Sequence, residues 1–486
     1  MYIIYFMSLP QNLNYNNSVE AAASRSFRTS IQPQTGTSFK KSELIQFMIP
    51  TRNNLIMSPS ESCFKGKVTF KNGAAASNFI RFDSCGAHGL INKIQIYHGS
   101  NLLETIENYN ILAKMMFDLQ VSTPQANGKQ SILTGTSTEY ASAVIAQIAT
   151  ADGTDLATTQ ALANSIKSNY NNLRNTSRYI NVGRRLNPYG TQINANASVT
   201  LDFCFPLISL VGSLSPKYLP LFACKSAPLR LEITLVSNPL ESVMVDVGLS
   251  TDGNDMIVSD VEFVCSMMEL SDSAIDIIKS NTGGRPLQYT FGDWRNYRWS
   301  SAISNAVTNL SMPIPAKYAS LKSILIASRQ TSNLATFKYL PLSSEKLFLQ
   351  NYNFRVGAEI VPSKSPSNVS EFFSEVLKAI GSISDPHHAP AIDYDSYNMD
   401  VQAQTTETLF SAPSIGSPSF YIALDCENYQ GSDKSGLYAG KYTSNDDIFY
   451  NPILGASGGS YTAIFDAYAN FDSVLVFEND TCYVKY

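Results

Sequence analysis

The stretch DFCFPLISLVGSLSPKYLPLFACKSAPLRLEITL, residues 202 to 235, decides between two kinds of protein. Its longest uncharged piece, Phe203 to Pro216, is 14 residues long and contains Pro206 and Gly212. A membrane-spanning helix needs about 20 apolar residues in unbroken helical form, and proline breaks helices. The run therefore does not cross a bilayer as a helix. Its flanks, VTLDFCF (199 to 205) and PLRLEITLV (228 to 236), alternate from side to side. In the second, Leu229, Leu231, Ile233 and Leu235 oppose Arg230, Glu232 and Thr234, the period of a half-buried strand. Two strands thus flank a crossing broken by Pro216, Pro220 and Pro228. The apolar residues belong to the inner face of a sheet sandwich and to a loop, around Ser213 to Cys224, that a neighbouring copy is expected to cover in part.

The same reading extends outward. SELIQFMIP (42 to 50), FKGKVTFKNG (64 to 73), LINKIQIYHGS (90 to 100) and SDVEFVCSMMEL (259 to 270) predict strands in the first half. YASLKSILIASR (318 to 329), EKLFLQNYNFRVGAEIVP (345 to 362), SFYIALDCE (419 to 427) and FDSVLVFENDTCYVKY (471 to 486) do so in the second, with Gly, Pro, Asn and Ser clusters between them. Helices are few. LETIENYNILAKMMFD (103 to 118) keeps Ile106, Tyr109, Leu112, Ala113, Met116 and Phe117 on one stripe; VSEFFSEVLKAIG (369 to 381) groups Phe373, Val376, Leu377 and Ile380 before a Gly stop.

At 486 residues the chain is long for one core, and two domains of roughly 200 to 250 residues are expected. SDSAIDIIKSNTGG (271 to 284) starts on a Ser-Asp cap and ends on Gly-Gly, as a connector should. VSDVEFVCSM before it echoes FDSVLVFEND at the C-terminus, as if each half closed on the same strand. The predicted fold is all-β: two tandem eight-stranded jelly rolls with short helices and a long insertion in the first. The predicted divisions are an N-terminal arm at 1–24, a first roll at 25–270, a connector at 271–284 and a second roll at 285–486. Residues 120–197, rich in Ala, Ser, Thr, Asn and Gln, read as a partly helical protrusion from the first roll.

Composition narrows the function classes. Charged residues are 15% of the chain, Tyr and Phe number 26 and 25, and 35 basic against 40 acidic side chains give a net charge of -5. A phosphate-tracking surface needs a basic excess, and only Arg174, Arg178, Arg184 and Arg185, with Tyr179 and Tyr189, form a weak cluster, read as a solvated or subunit-contacting stretch. No direct, specific nucleic-acid binding is expected. The seven cysteines form no CxxC pair and read as small buried hydrophobes in a reducing compartment. The opening MYIIYFMSLPQ has no basic residues and too short an apolar run for a secretory signal, and Met7 is a candidate alternative start.

Catalytic patterns are missing from the sequence. DPHHAPAIDYD (385 to 395) brings His387 and His388 near Asp385, Asp393 and Asp395, but at a spacing that fits no helical or hairpin metal motif. A GxSxG elbow is absent, and GASGGS (455 to 460) lacks the lysine of a phosphate loop. No enzyme activity, metal or cofactor is expected. GDWRNYRW (292 to 299), read as a strand, puts Trp294, Asn296 and Arg298 on one face and Arg295, Tyr297 and Trp299 on the other. Trp294, Arg295, Tyr297 and Trp299 are the candidate assembly contacts, since aromatic residues and arginine are enriched in protein interfaces; a core Trp beside a surface Arg ladder is the plainer reading.

Three stretches carry a resemblance. GLINKIQIYHGSNLLETIENYNILAKMMFDL (89 to 119), FPLISLVGSLSPKYLPLFACKSAPLRLEITL (205 to 235) and LFLQNYNFRVGAEIVPSKSP (347 to 366) resemble segments of the double jelly-roll major capsid proteins of virophages and Polinton-like viruses, in the PRD1–adenovirus lineage. The insertion at 120–197 and the N-terminus depart from that pattern. The resemblance implies a structural protein of the virion, made and assembled inside an infected host cell. Its first partner would be itself, as a homotrimeric pseudo-hexagonal capsomer tiling an icosahedral shell. Minor capsid and penton proteins would follow, and an internal membrane is compatible with it. Two alternatives compete: a secreted carbohydrate-binding or hydrolysing β-sandwich protein, and a pore-forming or adhesin-like assembly protein.

Overall fold

The computed structural model describes residues 24–71, 78–135, 191–193, 197–214, 218–238, 243–245, 256–281, 284–331, 342, 344–385, 387–390, 392, 394–398, 419–428, 439–457 and 459–486. The first half builds two facing antiparallel sheets. One has the order β1 (Ser24–Ile31), β12 (Met256–Leu270), β4 (Leu55–Lys71), β9 (Ser198–Phe205), with β2 (Ser38–Lys40) also on β12. The other has the order β3 (Leu44–Ile49), β10 (Leu229–Leu235), β6 (Ile91–His98), β7 (Asn101–Glu107). A small sheet of β11 (Val243–Val245), β5 (Asn78–Phe82) and β8 (Thr191–Ile193) stands apart. The main pairs nest inside one another: β1 with β12, β3 with β10, β4 with β9, and β6 with β7. That is one long hairpin folded over into two layers of four strands, the wiring of a jelly roll.

The second half repeats this wiring. β13 (Leu287–Ile303), β21 (Tyr461–Glu478), β16 (Leu321–Gln330) and β19 (Tyr421–Asp425) form one sheet in that order, with β22 (Thr481–Lys485) also on β21. In the other, β20 (Ile448–Leu454) lies between β17 (Leu349–Val356), which also carries β18 (Glu359–Val361), and the short strands β14 (Thr308–Asn309) and β15 (Met312–Ile314). Again β13 closes on β21, β14 and β15 on β20, β16 on β19, and β17 on β18. The two echoing sequences lie in β12 and β21, the last long strand of each roll and the partner of its first.

Alternation explains the layers. In β10, Leu229, Leu231, Ile233 and Leu235 are buried and the residues between them half-buried, and Phe47, Phe64 and Phe263 meet in the first core. Tyr352, Phe354 and Tyr450 do the same in the second. β16 and β19 are buried on both faces. Ile324, Ile326, Ile422 and Leu424 serve the second core, while Leu325, Ala327, Tyr421 and Ala423 join the cluster of the first roll. The apolar runs of these strands thus mark a sheet covered on both sides.

Helix α1 (Tyr109–Gln120) belongs to that shared cluster, and every residue from Tyr109 to Leu119 is buried. The sequence predicted one apolar stripe on a helix starting at 103; instead 101–107 is β7, hairpinned to β6, and the helix begins after Asn108, whose φ is 49°. A register shift between Ile96 and Tyr97 turns both Leu103 and Glu104 inward, which breaks the strand's alternation and imitates a helical spacing. Helices α2 (Asp272–Asn281) and α3 (Val369–Ala379) occupy the positions predicted for them. Asn368 caps α3 by accepting the Glu371 N–H at 2.9 Å.

The apolar crossing is covered by its own chain. Leu207, Leu210, Val211, Leu219 and Leu221 are all buried; Tyr218 is exposed. No helix among the described residues is long and apolar enough to cross a membrane. The N-terminal arm before Ser24, most of the 120–197 insertion and the Arg174 to Arg185 cluster lie outside the described residues. The described start of the insertion, 123–134, is helical and reaches β9.

Candidate functional site

β13 shows what the candidate contact residues do within one chain. It pairs with β21 from Leu287↔Phe477 to Ile303↔Tyr461 without a break, so the predicted alternation of faces holds. Trp294 is 6% exposed and lies in the cluster shared with the first roll. On its face, Asn296 accepts from the Asn108 side-chain amide at 2.9 Å, and Arg298 donates from Nε to Asp466 at 2.7 Å. The Tyr468 hydroxyl donates to the Asn108 carbonyl at 2.8 Å. On the opposite face, Tyr297 and Tyr318 share a hydroxyl hydrogen bond of 2.6 Å, and Trp299 leans on Phe465. Arg295 stands over the ring of the C-terminal Tyr486. A cleft of about 250 Å³, lined by Tyr297, Trp299, Pro313 and Tyr450 among others, opens beside β13 where the two layers of the second roll part.

The junction between the rolls also holds buried charge. Lys114 of α1, 1% exposed, bonds Asp83 at 3.0 Å and Asp118, four residues on, at 2.9 Å. Ser84 and Tyr421 donate to the two oxygens of Asp118 at 2.6 and 2.7 Å, and Lys114 reaches Ser419 at 3.5 Å. Because Ser419 and Tyr421 come from the second roll, the network spans the junction. Buried ions are tolerated only with such partners.

Two more carboxyls, both fully buried, face each other there. Glu104 on β7 accepts the Leu210 N–H on both oxygens, at 3.0 and 3.1 Å. Asp293 on β13 accepts the Trp294 N–H at 2.7 Å, and its Oδ2 has no hydrogen-bond partner among the described residues. Burial, then the Asp293 charge, raises the Glu104 acid well above the usual carboxylate range; burial pushes Asp293 up to about 7. Tyr109 ties the crossing to α1: its hydroxyl accepts from the Ile208 N–H at 2.9 Å and shares a hydrogen bond of 2.8 Å with His88 Nδ1. Burial lowers His88 to about 3, leaving a neutral ring.

One group of three potential metal donors exists among the described residues, buried His98, Cys224 and Cys482. The imidazole is already committed, with Nε2 against the Cys224 carbonyl at 3.0 Å and Nδ1 against the Cys482 N–H at 3.3 Å. It reads as a polar clasp between the rolls. His387 and His388 sit on a loop where both backbone N–H groups bond Asp385, at 2.9 and 3.2 Å.

Comparison with solved structures decides the architecture. VP54 of PBCV-1, from a structure fitted into a reconstruction of the virophage Sputnik, matches with a TM-score of 0.58 at 9% identity, over 97% of this chain and 99% of its own. The Faustovirus major capsid protein matches with a TM-score of 0.53 at 10% identity, over 96% and 92%. The mavirus major capsid protein gives 0.52 at 11% identity, over 100% and 96%. This chain is a double jelly roll. Identities this low establish the fold and leave no residue-level correspondence to carry over. No protein-family model and no curated protein sequence matches the chain. The buried charges and the carboxyl pair lie where the two rolls of this double jelly roll meet. Sequence reading missed them, although the Lys114 and Asp118 spacing is that of an ion pair on one helix face.

Proposed function

We propose that this double jelly roll is a viral major capsid protein that assembles as a homotrimeric, pseudo-hexagonal capsomer and tiles an icosahedral shell. The observation that carries the reading is the end-to-end match: both rolls and their junction align with the capsid proteins of Faustovirus and mavirus over 92% or more of each chain. The physical chemistry supports it. Each roll ends in open edge strands, such as β1 and β9, and edges are satisfied when like subunits cover them. Three copies of a two-roll chain place six upright rolls in a ring, closed by heterologous contacts under threefold symmetry. The slight net charge of -5 keeps free subunits off nucleic acid.

In this reading residues 25–270 and 285–486 are the two rolls, 271–284 the joint, 1–24 an arm and 120–197 the projection. Trp294 is committed to the junction within the chain, while the half-buried Tyr297 and Trp299 in the cleft, and Arg295 beside Tyr486, remain for contacts between copies. The role is structural and non-enzymatic, in a virion assembled inside the host cell, with minor capsid and penton proteins as further partners. No observation favours a carbohydrate site, and Trp294 is buried. Light scattering on the purified chain tests the proposal. A mass near 160 kDa, three times the 53.3 kDa chain, is expected; a stable monomer at micromolar concentration overturns it.

A further inference from the structure

Five of the seven cysteines are buried, as the sequence suggested; Cys63 and Cys204 are half-exposed. Both lie on the outward face of the first roll. On β4 the inward set is Phe64, Gly66, Val68 and Phe70, so Cys63 points outward with Lys65 and Lys67. On edge strand β9 the inward set is Leu201, Phe203 and Phe205, so Cys204 points outward with Asp202. Cys204 pairs with Lys65, which makes Cys63 its diagonal neighbour. Their Sγ atoms are 3.3 Å apart. We propose that Cys63 and Cys204 are a redox-active thiol pair, which a low-molecular-weight disulfide such as oxidised glutathione converts reversibly into a bond between β4 and β9.

The surroundings divide the labour between the two thiols. The hydrogen bond with Cys63 outweighs burial and, with the Lys65 and Arg28 charges, brings the Cys204 thiol down to about 7. The same bond and burial push Cys63 well up. Cys204 is therefore the attacking thiolate at neutral pH. The other charged groups of the cleft beside it, about 510 Å³ in volume, are Lys67 and Asp202 on the paired strands and Asp260 and Glu262 on β12. Lys67 bonds Asp260 at 2.8 Å, and Lys65 bonds Glu262 at 3.2 Å, which leaves the net charge near Cys204 modest.

The reaction balances. The Cys204 thiolate attacks one sulfur of the small disulfide, whose S–S bond breaks, and one thiolate leaves. Cys63 gives its proton to that base, and its sulfur attacks Cys204 Sγ, expelling the second thiolate. Two protein thiols are oxidised and one small disulfide is reduced to two thiols. Bond formation needs the sulfurs to close by about 1.3 Å, to the roughly 2.05 Å of a disulfide. Diagonal positions on a sheet lie farther apart than opposed ones, so the bond is strained and is reduced readily. The bond pins an edge strand that otherwise has one neighbour in its sheet.

The test uses the full chain at pH 7.5 with oxidised glutathione, followed by peptide mapping without reductant. A linked Cys63–Cys204 peptide is expected, lost on adding dithiothreitol, while the buried Cys224 and Cys482 stay unlinked. In Cys63→Ser, glutathione should remain trapped on Cys204; in Cys204→Ser, uptake should fall at least tenfold. A stable glutathione adduct on Cys204 of the unmodified chain, with no link to Cys63, overturns the proposal, as does the absence of any modification. The outcome is independent of whether the protein builds a shell.

Discussion

Replacing Lys114 with methionine keeps an unbranched side chain of nearly the same length and removes the ammonium, with its charge and its hydrogen bonds to Ser84 and Ser419. In the parent chain the ammonium stands 3.0 Å from Asp83 and 2.9 Å from Asp118, and the three residues are at most 6% exposed. In the variant, Ser84 and Tyr421 still bond Asp118, but nothing offsets the repulsion between the two carboxylates. Each ion pair at 3 Å is worth roughly 5 kcal/mol at an effective dielectric of 20, and protonation of one acid recovers part of that. Breaking a buried pair by removing one partner costs about 3 to 5 kcal/mol, which we take for Lys114→Met. Urea unfolding followed by Tyr and Trp fluorescence measures it. The triple variant D83N/K114M/D118N, which removes the whole charge set, should recover at least half of the loss, because neutralised groups of similar volume pack without the desolvation cost. A single variant within about 1 kcal/mol of the parent refutes the idea that this network clamps the two rolls.

The buried acids predict a pH dependence. Asp293 is raised from 3.8 to about 7 in the folded chain, so the native state binds more protons than the unfolded state between those values. Stability must therefore fall as pH rises from about 4 through about 7, by up to roughly 1.4 kcal/mol per pH unit for one group. Asp293→Asn should flatten the urea midpoint over that window; an unchanged slope would argue against the carboxyl pair. At Gly212 an added Cβ would lie 1.9 Å from the Leu207 carbonyl oxygen, whereas at Gly292 it would meet only Asn470 at 3.6 Å. Gly212→Ala should thus cost more than about 2 kcal/mol and Gly292→Ala under about 1 kcal/mol, a ranking that unfolding curves of the two variants check directly.

The strands were legible because each core is built from one alternating face: Leu229, Leu231, Ile233 and Leu235 give β10 away without structural help. Where a strand is buried on both faces, as in the ILIA run of β16, alternation vanishes, and only the second apolar layer explains the pattern. The start of α1 was misread for a local reason, the register shift that sends Leu103 and Glu104 inward together. Trp294 and its neighbours were correctly placed on opposite faces of a strand, but which face meets the other roll depends on contacts far apart in sequence, such as Asn108 with Asn296. Cys63 and Cys204 could have been singled out, since each falls on the polar phase of an alternating strand, beside Lys65 and Asp202 respectively. Their approach across β4 and β9 required the register itself.

Electron microscopy of the purified oligomer looks most directly at the claim that copies of this chain satisfy one another's open flanks. Class averages should show a threefold particle with six blunt lobes in a closed ring, two lobes to each chain. Two-lobed single chains at the same concentration, or an open filament without threefold symmetry, would contradict the account.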